Sequence, residues 1–99
     1  MNKIYARQGD VLLSKIDELP NGLTKSKTNI VVYGESSGHS HRLVGGDIFT
    51  KGTDMYLVLK RVGELIHEEH GTIKLGRGIY AVKRQREYLA SDMTRVAFD

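Results

Sequence analysis

The sequence predicts an all-β protein, a small antiparallel barrel or sandwich formed by one domain spanning residues 1–99. Three observations predict it. Eleven glycines cut the 99-residue chain into short apolar runs. Those runs are rich in β-branched and aromatic residues, which suit a pleated, half-buried surface. No stretch of about ten residues keeps a convincing helical period.

Each element follows from local chemistry. Val11-Leu12-Leu13-Ser14-Lys15-Ile16 reads as a strand. Asp17 to Gly22 reads as a turn, because Pro20 fixes φ and Asn21-Gly22 tolerates positive φ. Asn29 to Tyr33 is a second strand, and the small polar stretch Gly34 to Gly38 leads into a third, His39 to Val44. Gly45-Gly46-Asp47 is a hairpin signal before Ile48-Phe49-Thr50. Met55 to Val62 is the most apolar segment and is expected to be a central strand. Leu65 to Gly71 reads as irregular or as one helical turn, and Thr72 to Leu75 as a short extended piece. Gly76-Arg77-Gly78 turns the chain into a long strand from Ile79 to Tyr88. Ser91 to Asp99 fits either a short helix capped by Ser91 or an edge strand.

The totals bound the function. A chain of this length buries roughly 60–65% of the surface its unfolded form exposes, so a metal or an oligomer interface would help to stabilise it. A homo-oligomer is therefore expected. Without cysteine there are no disulfides and no thiolate metal sites. The N-terminal stretch holds no apolar run long enough for a signal peptide or a membrane span, so no membrane association is expected and the cytoplasm is the default location. The net charge of +3 allows an anionic partner without demanding one.

All four histidines fall in two short stretches, Gly38-His39-Ser40-His41-Arg42 and His67-Glu68-Glu69-His70-Gly71. In an extended strand His39 and His41 share a face. His67 and His70 share a side only in a helical or turn conformation. The two pairs can meet if the second stretch is a turn at a strand end, beside the first strand. Neutral imidazole ligates zinc, iron, nickel or copper. The expectation is a metal site at His39, His41, His67 and His70, with zinc first and iron, nickel or manganese open. Glu35, Glu68 and Glu69 lie near the pairs; Glu68 or Glu69 is the candidate base for activating a metal-bound water in hydrolysis. The competing readings are polar turn residues satisfied by hydrogen bonds, and a metal-free cluster that repels itself once protonated.

A rival function is a non-enzymatic module, binding a protein or nucleic acid. Lys83-Arg84-Gln85-Arg86 is basic, and on a strand Arg84, Arg86 and Tyr88 share a face able to pair and stack with a nucleic-acid strand. Arg42 falls opposite the histidines and reads as a surface or ion-pair residue rather than an anion clamp. Gly76-Arg77-Gly78 lacks the spacing of a phosphate loop, so no nucleotide cofactor is expected. No nucleophile pattern built on Ser/His/Asp or Cys is present.

Three resemblances bear on this reading. His39-x-His41 on a strand of a small β-protein resembles the first motif of the cupins and implies a metal site at those two positions. The cupin Glu falls on Gly45 or Gly46, and the later cupin His falls on Ala81. Gly9-Asp10-Val11-Leu12-Leu13 and Gly46-Asp47-Ile48 resemble the ten-kilodalton co-chaperonin barrel in fold alone. A fuller resemblance runs through Gln8-Gly9-Asp10-Val11-Leu12-Leu13, Gly38-His39-x-His41-Arg42, His67 to Gly71 and Gln85-Arg86-Glu87-Tyr88. It is to small proteins of bacteria and their phages with no assigned activity, and it implies a bacterial or prophage setting but no mechanism.

Overall fold

A computed structural model describes residues 5–33 and 40–84, of which 32, 33 and 84 are described in the backbone only. The described chain is all-β and contains no helix. Its strands are β1 (Ala6–Gln8), β2 (Val11–Ile16), β3 (Thr24–Lys25), β4 (Ile30–Tyr33), β5 (Ser40–Val44), β6 (Asp47–Lys51), β7 (Asp54–Leu59), β8 (Gly63–Ile66), β9 (Ile73–Leu75) and β10 (Gly78–Arg84). They form two antiparallel sheets, one ordered β1-β2-β10-β7-β6-β3 and one ordered β4-β5-β8-β9. The fold class read from the glycine-punctuated apolar runs is the one observed.

Alternation explains the core. Val11 and Leu13 of β2, Leu57 and Leu59 of β7, Tyr80 of β10 and Ile48 of β6 point inward from the larger sheet. Leu43, Leu65, Leu75 and Val31 come from the smaller one. All are buried to within 2% of full exclusion, and burying side chains of this size stabilises by about 1.5–3 kcal/mol each. Tyr80 carries the largest side chain of this core and satisfies its polar end by donating its hydroxyl to Gly76 O at 2.7 Å. Burial and the neighbouring Tyr5 push that hydroxyl up to about 12.

Several boundaries differ from expectation. The segment expected to run unbroken from Met55 to Val62 ends at Leu59, still as the central strand between β10 and β6. Lys60, Arg61 and Val62 form a turn, and the chain then re-enters the smaller sheet as β8, which takes in Leu65 and Ile66 of the segment expected to be irregular from Leu65 to Gly71; His67 to Gly71 are irregular. Gly63 makes this possible: a Cβ there would lie 2.5 Å from Val44 O, so only glycine lets β8 approach β5 this closely. The short strands β1 and β3 carry too few apolar residues to show a period. Residues 34–39 and 85–99, on which the expectations of a strand continuing to Tyr88 and of a helix or edge strand after Ser91 fall, lie outside the described residues.

Candidate functional site

The site forms where the tip of the β1–β2 hairpin, in the larger sheet, meets the ends of β5 and β8 in the smaller one. Strand pairing sets it up. Arg42 lies opposite Ile66 and Leu43 opposite Leu65. Continuing that register by one residue brings His41 beside His67. The ring centroids of His41 and His67 are 4.4 Å apart. His70 follows after a bend, 4.5 Å from His67 and 6.2 Å from His41, with the His41 and His70 rings parallel to within 5°. The two separated histidine stretches therefore meet, with the second one a turn at a strand end. His39 and Glu35 lie outside the described residues.

Glu68 clamps the turn in place. Its carboxylate accepts from the Ser40 amide at 3.3 Å and from Arg42 Nη1 at 3.0 Å. Its own backbone amide, then the Ser40 amide and the Arg42 guanidinium, hold the carboxyl below the usual carboxylate range. Arg42 thus sits opposite the histidines in an ion pair, as strand alternation requires. The Glu68 carboxylate is engaged on that far side.

His67 is committed to the turn as well. Its Nδ1 accepts from the backbone amides of Glu69 at 3.0 Å and His70 at 3.3 Å. An acceptor at Nδ1 places the proton of the neutral ring on Nε2.

The opposite tautomer is imposed on His41. Gln8, only 2% exposed, donates its side-chain amide nitrogen to Leu65 O and to Gly71 O, both at 2.8 Å. Only the nitrogen of that amide can donate, so Oε1 must face the other way. Oε1 lies 2.8 Å from His41 Nδ1, which is therefore the N–H donor. This leaves a lone pair on His41 Nε2. That atom faces Asp10 Oδ1 at 3.6 Å, beyond direct hydrogen-bond reach. Burial lowers the pKa of the His41 ring, and His67 and His70 lower it further, while Asp10 opposes the shift. The ring is neutral at neutral pH.

Gly9 closes the cluster. It adopts φ +60° in the hairpin turn, and a Cβ there would lie 2.6 Å from His70 Nε2. The Nε2 end of His70 thus rests against the Gly9-Asp10 turn, so the His41 Nε2, the His70 Nε2 and the Asp10 carboxylate gather around one hairpin tip. Gln8, Gly9 and Asp10 were not singled out as site residues by sequence reasoning. The available signal was a polar Gln-Gly-Asp turn directly before the apolar run at Val11.

Among the described residues, no set of three or more His, Asp or Glu side chains forms a ready-made ligand cage. Of the nucleic-acid candidates read from sequence, the Arg84 side chain and Arg86 lie outside the described residues. No helix in the described part is long and apolar enough to cross a membrane.

Comparison with curated proteins gives no match, and comparison with solved structures gives none either. A family profile described as a domain of unknown function (DUF8820) matches residues 7–85, a span that takes in Gln8, Gly9, Asp10, His41, His67 and His70. The chain belongs to that family.

Proposed function

We propose that this hairpin tip binds one divalent transition-metal cation, zinc in the first place, with iron, nickel or manganese as other occupants. His41 Nε2, His70 and the Asp10 carboxylate are the ligands of this reading, and His39 is a further candidate. The observation that carries it is the locking of His41 by Gln8, which leaves a neutral imidazole with its lone pair aimed at a carboxylate. A ligating histidine is commonly held this way, its other nitrogen donating to an oriented acceptor.

The spacing supports the reading. Two donors each about 2.0–2.2 Å from one zinc ion lie about 3.4 Å apart at a tetrahedral angle, close to the 3.6 Å between His41 Nε2 and Asp10 Oδ1. His70 is exposed and can complete the set by a change of rotamer. His67 departs from the set expected from sequence. Its Nδ1 holds two backbone amides, so it would coordinate only after its ring turned over; as it stands it offers an Nε2–H donor beside the cation. Two imidazoles and one carboxylate leave open positions, which suits a reactive centre better than a closed structural one. Metal-assisted hydrolysis is the chemistry to assay first, with Glu68 or Glu69 as the water-activating base; Glu68 would first leave Arg42 and Ser40.

Elemental analysis of untagged protein tests the reading. About one metal per chain is expected in the wild type. Asp10→Asn and His41→Ala should both lose it. A wild type that remains metal-free after dialysis against zinc contradicts the proposal.

A further inference from the structure

Away from the histidines, the turns joining β5 to β6 and β7 to β8 lie together at one end of the molecule. A Cβ on Gly45 would lie 3.1 Å from the Gly63 Cα and 3.5 Å from Val62 O. Between these turns runs a groove of about 230 Å³, lined by Gly45, Gly46, Asp47, Val58, Lys60 and Arg61.

Two features mark this end as a contact surface. The large hydrophobic side chains left exposed among the described residues are Tyr5, Val44 and Val62; Val44, 46% exposed, ends β5 at one turn, and Val62, 63% exposed, lies in the other. Lys60 and Arg61 are exposed and have no ion-pair or hydrogen-bond partner among the described residues. The one carboxylate in the groove, Asp47, is met by Lys25 at 3.4 Å, so it does not neutralise them. Glu64, next to the groove on β8, lies opposite Lys74 in the strand register.

We propose that this groove and the two exposed valines beside it dock an acidic peptide segment of a protein partner, its carboxylates on Lys60 and Arg61 and an aliphatic side chain against Val44 and Val62. Charge complementarity selects the sign of the partner. The apolar members favour protein over nucleic acid, because they are aliphatic and bases stack on aromatic rings. A second copy meeting this face across a two-fold axis would set Lys60 and Arg61 against their own like charges, which disfavours self-association.

The test is selection from a displayed random peptide library on the immobilised full chain, followed by titration of the recovered peptides. Recovered peptides should be acidic with at least one aliphatic residue. Their affinity should fall at least about tenfold in a Lys60→Glu, Arg61→Glu double variant and again in Val62→Ser, both exposed changes that leave the core alone. Recovery of neutral or basic peptides, or binding indifferent to the double charge reversal, overturns the proposal. So does binding of a single-stranded oligonucleotide that the same double variant abolishes, which would assign the surface to nucleic acid.

Discussion

The Nδ1 of His41 lies 2.8 Å from the side-chain oxygen of Gln8, two residues separated by 33 positions and held in different sheets. One amide thereby joins β1 to β5, to the end of β8 at Leu65, and to the loop at Gly71. Replacing Gln8 with Ala strands a buried imidazole N–H and the buried acceptor at Leu65 O, and leaves the part-buried Gly71 carbonyl to water. Each unsatisfied buried group costs about 1–3 kcal/mol, and water entering the vacated space recovers part of that. Urea denaturation should show a loss of about 2–4 kcal/mol. Any zinc affinity should fall by about 10–100-fold, the usual effect of removing a group that orients a ligand.

Gly9 and Gly52 provide a matched pair. Both sit at φ near +60°, but a Cβ at Gly9 meets His70 Nε2 at 2.6 Å, whereas one at Gly52 meets nothing within 4 Å. Alanine at either site takes on the left-handed backbone penalty of about 1–2 kcal/mol. Only Gly9→Ala should also displace His70 and weaken metal binding. Equal effects of the two variants in a zinc titration would show that the approach of His70 to the hairpin has no part in binding.

The lowered pKa of His41 fixes a pH dependence for metal-free protein. The folded state disfavours the protonated ring, so the unfolded chain takes up the proton first as pH falls below the ordinary histidine value of about 6.5. The stability contributed by neutral His41 is fully present above that value and is lost as pH falls through the lowered one. Thermal unfolding in chelator should give a flat melting temperature from pH 8 to 7 and a decline below 6.5. His41→Asn should flatten the decline across that window while lowering stability throughout it.

Much of this was legible in the residues. Gly45-Gly46-Asp47 announces a hairpin because only glycine adopts the φ of +91° found at Gly45, and the apolar run at Leu57 and Leu59 announces a central strand. The meeting of the histidine stretches was foreseeable, since a helical or turn conformation brings His67 and His70 to one side. The part played by Gln8 was not. A lone glutamine has no period and no characteristic spacing, and its role depends on carbonyls 57 and 63 residues away. The division of labour among the histidines was equally hidden, because a tautomer is set by the partner across the fold and not by neighbours in sequence. Glu68 reads as a candidate base in the sequence, yet strand register places it against Ser40 and Arg42, where it fastens the turn.

The central claim is that His41 presents an unprotonated Nε2 to a cation at the β1–β2 hairpin tip. Long-range proton–nitrogen correlation NMR of the histidine rings, recorded before and after one equivalent of zinc, tests it most directly. His41 should show a protonated Nδ1 and a bare Nε2 whose resonance moves on adding zinc, while His67 begins with its proton on Nε2. A His41 ring protonated at Nε2, or a bare Nε2 that zinc leaves unmoved, would contradict it.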